Sequence, residues 1–105
     1  MTQTTPSPNP GRDFELHVAI LYERNGYKTE RNQNLAGQQI DIVAQKNVPG
    51  IGITKIAIEC KFRSEGSISN QDVIDFINQI KVIQLSHPID FGVLVTNAEF
   101  SAAAK

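Results

Sequence analysis

A single cysteine among 105 residues leaves no partner for an internal disulfide, and a chain without such staples fits a reducing, intracellular setting. Long apolar runs are missing too. None approaches the roughly 20 residues that cross a bilayer as a helix, and residues 1–10 are polar and proline-rich, unlike a signal peptide. The expected location is the cytoplasm, with no membrane partner. A surplus of positive charge is also lacking: Lys and Arg number 10 against 11 Asp and Glu, for a net charge of −1. A strong nonspecific hold on DNA comes from many cations neutralising phosphates, so this composition favours a catalytic module over a stand-alone binder. His17 and His87 have no neighbour at metal-ligand spacing and read as a helix-surface and a loop residue.

What is present suits one small domain: 40% of the residues are hydrophobic, enough for a single core without a structural metal. Residues 1–11 read as a flexible tail and 12–105 as the folded domain. A helix is expected from Arg12 or Asp13, with Phe14, Val18, Leu21 and Tyr22 on its apolar stripe and Gly26 as its stop. Residues 27–34 suggest a short edge strand and 40–45 a better one. Asn47-Val48-Pro49-Gly50 is turn chemistry, and residues 53–62 form a central strand. Ser69 with Asp72 three positions on is a capping-box pattern; behind it Val73, Phe76, Ile77, Ile80 and Ile83 trace a core-facing helical stripe that His87-Pro88 ends. Residues 91–96 read as a fully buried strand, parallel to a neighbour because a helix precedes it. Residues 98–105 look like the opening of a third helix.

The most informative stretch is Ile56-Ala57-Ile58-Glu59-Cys60-Lys61-Phe62. Alternate side chains of a strand share a face, so Glu59 and Lys61 point together while Ile58 and Cys60 point the other way. Charges are rarely buried without partners, so an acid and a base inside an apolar strand suggest a site. Upstream, Ile40-Asp41-Ile42-Val43-Ala44 carries one more acid, and the 18 positions from Asp41 to Glu59 leave room for a turn and an antiparallel return. Two carboxylates beside a lysine can hold a divalent cation and a scissile phosphate. The plain alternative is a structural ion pair plus an isolated surface acid. Gln39 could face the same pocket, but polar residues are common at strand entries. Cys60 reads as a core side chain and Gln79 as structural; Lys55, Arg63 and Lys81 could touch phosphate near the site, but scattered cations are usually solvated surface.

These residues together resemble the Mrr-type restriction endonucleases of the PD-(D/E)xK nuclease superfamily. The resemblance runs over Phe14-Glu15, Val18-Ala19 and Gly26-Tyr27, through Gly37-Gln38-Gln39-Ile40-Asp41-Ile42-Val43-Ala44 and Ile58-Glu59-Cys60-Lys61-Phe62, to Val73, Phe76 and Val95-Thr96-Asn97. It covers roughly residues 12–100. It implies an α/β fold with a restriction-endonuclease-like α-β-β-β-α-β core, a mixed sheet flanked by helices. It also implies a magnesium-dependent endonuclease, with manganese as a substitute, that hydrolyses DNA phosphodiesters to a 5′-phosphate and a 3′-hydroxyl. Asp41 and Glu59 would then be metal ligands with the Cys60 carbonyl, Lys61 the catalytic lysine, and Glu15 an acid brought to the same pocket by the first helix. Two departures stand out. Ile40 occupies the position where relatives usually carry proline, and the sequence ends where they continue with a further helix and strand. The expected setting is a restriction or defence effector, at least transiently a homodimer, with further domains or subunits for targeting. The alternatives are a silent nuclease-like fold that binds nucleic acid or a partner protein, and a junction-resolving or RNA-cleaving enzyme.

Overall fold

A computed structural model of the chain describes residues 8–101. Its elements run α1 (Pro10–Arg24), β1 (Lys28–Leu35), β2 (Gln38–Val48), β3 (Gly52–Lys61), α2 (Asn70–Gln84) and β4 (Phe91–Thr96), the α-β-β-β-α-β order expected. Helix α1 begins ahead of Arg12. The carboxamide of Asn9 accepts the Arg12 N–H at 3.1 Å, and Pro10 follows at the first helical position, where a missing N–H costs nothing. Pro10 and Gly11 therefore belong to a capped helix and not to the tail; residues 1–7 lie outside the described residues. At the other end Gly26 takes the left-handed conformation, φ 89°, and its N–H bonds the Glu23 carbonyl at 3.1 Å.

The strands form one sheet in the order β1-β2-β3-β4. The β1–β2 turn is Ala36-Gly37, both with positive φ, as a tight two-residue hairpin requires. The antiparallel β2–β3 hairpin turns after Val48, which pairs with Gly52, so β2 runs longer than its apolar stretch. Strand β4 returns parallel to β3, with Glu59 opposite Leu94 and Lys61 opposite Thr96. Among the described residues it has only β3 beside it and Phe91 is 60% exposed; the expected fully buried strand is an edge strand, with Val93 and Val95 packing on the α1 side and Leu94 on the α2 side.

Each face of the sheet carries one helix. Val18 and Ala19 of α1 pack on Ile42, Ala44, Ile56 and Ile58; Phe76, Ile80 and Ile83 of α2 pack on Ile40, Ala57 and Ile89. The helical stripes are shifted in part from expectation: Leu21 and Ile77 point outward and Ala19 is buried, while Ile83 is buried as expected. The Ser69–Asp72 capping box forms as predicted, with both reciprocal bonds present. Residues 98–101 do not open a helix. Phe100 bridges Ile68 in parallel, and the Ile68 N–H and carbonyl bond Glu99 and Ser101 at 2.9 Å each, because a second short strand pairing satisfies that backbone; 102–105 lie outside the described residues.

Candidate active site

The site is built where the sheet comes apart. The β2–β3 ladder ends at Ile42↔Ile58, one step short of Asp41 and Glu59. In place of the next rung, the Asp41 carboxylate accepts the main-chain N–H of Cys60 at 2.8 Å. On its other side Asp41 faces Asn32, which lies between the pairs Arg31↔Ile42 and Gln33↔Ile40 and has φ 56°. The alternation of β2 breaks at the same point. Ile40 packs with α2 and Ile42 with α1 although they are two residues apart, whereas a regular strand would send both to one face. The kink turns the one acid of β2 out of the ladder and toward β3.

Strand β3 stays regular, and Glu59 and Lys61 share a face as expected. Both line a cavity of about 220 Å³ that is also lined by Gln38, Phe76, Gln79 and the acids Asp72 and Asp75 of α2. The Cys60 side chain packs on the opposite, α1 side. Burial pushes its thiol up to about 12, with Asp41, Glu15 and Glu59 adding to the effect, so no thiolate is on offer and only main-chain atoms of Cys60 can serve the site.

Electrostatics tie the acids together. Glu59 is pushed up to about 8, first by burial, then by a hydrogen-bonding contact with Asp41 and the charge of that group; Lys61 pulls the other way and Glu15 adds to the rise. Glu15 is itself raised, by burial and then by Asp41, with Arg31 and Arg12 opposing. Asp41 is thus the hub: it touches Glu59 on the α2 side and acts on Glu15 from the α1 side. Glu15 lies in a separate cavity with Asn9, Arg12, Arg31 and Asn32, so it joins the cluster through charge and does not line the Glu59–Lys61 cavity. Among the described residues no three His, Cys, Asp or Glu side chains form a metal-holding group. An ion here would rest on two carboxylates and a main-chain carbonyl. That donor set is all oxygen, as magnesium prefers, and two carboxylates in contact, one held far above its ordinary range, form the kind of pair that a cation relieves.

Other candidates fall outside this cluster. Gln39 is exposed and its neighbour Gln38 lines the cavity instead, because the kink shifts the phase of β2. Gln79, read as structural, lines the cavity and also donates from Nε2 to the Gln39 carbonyl at 2.8 Å. Its signal was present: Asp72, Asp75 and Gln79 repeat at three and four positions, a polar stripe beside the apolar one. Arg63 pairs with Asp72 at 3.4 Å, Lys55 gives its main-chain N–H to Asp90, and the ring of His87 contacts Ser86. His17 is exposed on α1.

A family model described as Mrr_cat, restriction endonuclease, matches residues 8–105. Among solved structures, a protein of unknown function, AF1548, is 26% identical with a TM-score of 0.74, over 86% of this chain and 48% of that one. A repair endonuclease from Pyrococcus abyssi is 12% identical with a TM-score of 0.63, over 98% of this chain and 43% of that one, a likeness of fold alone. The chain spans about half the length of these two solved proteins. No curated protein matches significantly.

Proposed function

Because this chain belongs to the Mrr_cat restriction endonuclease family, a family of nuclease domains, we propose that it hydrolyses DNA phosphodiesters with a magnesium ion, for which manganese can substitute. The observation that carries this reading is the meeting of Asp41 and Glu59 at the end of the β2–β3 ladder, with Lys61 on the same face. Asp41 and Glu59 would hold the ion, together with the Cys60 carbonyl. When bound, the ion supplies Lewis-acid polarisation of the phosphoryl group and offsets its charge. Lys61 extends an ammonium into the same cavity, where it counters the negative charge that builds on the phosphate as water attacks phosphorus. The P–O3′ bond then breaks and its oxygen takes up a proton, leaving a 5′-phosphate and a 3′-hydroxyl. Glu15, joined to Asp41 by charge alone in the metal-free protein, adjusts the field at the ligand.

A role as a restriction or defence effector follows from the same reading. Cutting both strands of a duplex then takes two copies of the chain, with targeting supplied by other domains or subunits. The test is plasmid nicking with magnesium. Wild type should convert supercoiled to open-circular DNA, and chelation should stop it. Lys61→Ala should slow it by about 10²–10³, the usual cost of removing one group that stabilises transition-state charge. Equal cleavage by wild type, Asp41→Asn and Lys61→Ala would remove the assignment. Titration calorimetry with magnesium should show uptake that is lost in Glu59→Gln.

A further inference from the structure

The two sides of Asp41 differ in charge. Toward α2, the cavity that holds Lys61 also holds Glu59, Asp72 and Asp75, so one cation meets three acids. Toward α1, a second cavity of about 380 Å³ opens between the first turn of α1 and the middle of β1, where Arg12 and Arg31 flank the single acid Glu15. That volume is within the range of about 300–1,000 Å³ typical of small-ligand sites, room for a nucleotide unit. Its β1 wall includes Asn32, the residue that faces Asp41 across the β1–β2 ladder, so the cavity adjoins the acid cluster directly. Both arginines line the cavity with Glu15 and act on it through charge. The ion pair of the neighbouring loop, Arg63 with Asp72, leaves Arg63 committed to the acidic side. A polyanion crossing Asp41 therefore meets repulsion on one flank and two planar, bidentate cations on the other.

We propose that the Arg12–Arg31 cavity seats a backbone phosphate of the nucleic-acid strand next to the phosphodiester that lies at Asp41. This rests on the nuclease reading for the identity of the strand, and it adds a direction: the substrate is anchored on the α1 side, and the α2 side faces the reacting phosphate through Lys61. Arg12 and Arg31 are positioning residues. They hold the strand and do not touch the reacting atoms.

The test is fluorescence anisotropy of a labelled duplex against the full chain in chelator, over a series of salt concentrations, followed by steady-state cleavage with magnesium. Arg12→Gln and Arg31→Gln should each weaken duplex binding about tenfold or more at low salt. Each should also lower the slope of log K against log salt by about one, a change that a folding defect would not produce. Arg31→Lys should restore most of the slope. Lys81→Gln, on α2 across the sheet, should leave both unchanged. In cleavage, KM should rise in the arginine variants with kcat kept. Unchanged affinity and slope in both arginine variants would overturn the proposal while leaving a cleaving wild type a nuclease. An equal loss in Lys81→Gln, or no duplex binding by wild type, would overturn it as well. Arginine-dependent binding without any cleavage would support the phosphate site and remove the nuclease reading.

Discussion

Glu59 holds its proton to about pH 8 in the folded chain, whereas an unfolded glutamate gives it up near its ordinary value of 4.5. Between those values the folded state binds more protons than the unfolded one, so stability falls as pH rises. The contribution is fully present below about 4.5 and is lost as pH passes through about 8. Glu59→Gln, which keeps the neutral shape, should therefore melt higher than wild type at pH 8 in chelator, with the gap closing toward pH 4. Magnesium should raise the melting temperature of wild type at pH 8 and leave Glu59→Gln unmoved. Scanning fluorimetry across pH, with and without the ion, checks both; a gap that widens at low pH would contradict the assignment. Asp72 moves the opposite way, held below the usual carboxylate range chiefly by its bonds to Ser69 at the α2 cap, and it contributes as a cap and not as a titrating site group.

Among the elements, the break in β2 decides where the site falls. Asn32, opposite Asp41, holds a left-handed backbone that asparagine adopts more readily than most side chains. Asn32→Gly should be close to neutral. Asn32→Val should cost about 1–2 kcal/mol in urea unfolding and should weaken magnesium uptake, because straightening β1 presses Asp41 back toward a regular rung. On β4, a side chain at Gly92 would meet Ile80 Cγ1 at 2.7 Å, so Gly92→Val should cost about 1–3 kcal/mol by overpacking the α2–β4 contact while leaving cleavage intact at low temperature. Element order, the capping box, the β2–β3 hairpin and the shared face of Glu59 and Lys61 were legible from spacing, since each follows from local chemistry. The meeting of Asp41 with Glu59 was legible only as a possibility of strand pairing. The kink was not legible, because period-two reading assumes that Ile40 and Ile42 share a face. The edge position of β4 was missed because an apolar run does not reveal how many strands lie beside it. Gln38 and Gln79 were passed over because one follows the kink and the other sits on a polar stripe that looks solvated until a strand end is placed under it.

Taken together, the described residues form a four-stranded mixed sheet with α1 on one face and α2 on the other, and the candidate chemistry sits where β2 and β3 part. No helix among the described residues is long and apolar enough to cross a membrane. With a net charge of −1, duplex affinity of this chain at physiological salt should lie no tighter than the nonspecific range of about 10⁻⁴–10⁻⁶ M. Anisotropy in 150 mM salt, about the physiological value, measures it, and nanomolar binding would mean that a base-reading surface exists which the charge pattern does not disclose. One arrangement constrains every variant of this protein. The oxygen of Asp41 that closes the gap to the Cys60 amide serves as a strut of the sheet, while the same carboxylate contacts Glu59. Shape and reactivity are thus fastened to a single side chain: an alanine there removes a beam along with a ligand, whereas an asparagine keeps the beam and silences the ligand. Lineages that lose catalysis at this position while keeping the architecture should retain an acceptor atom there.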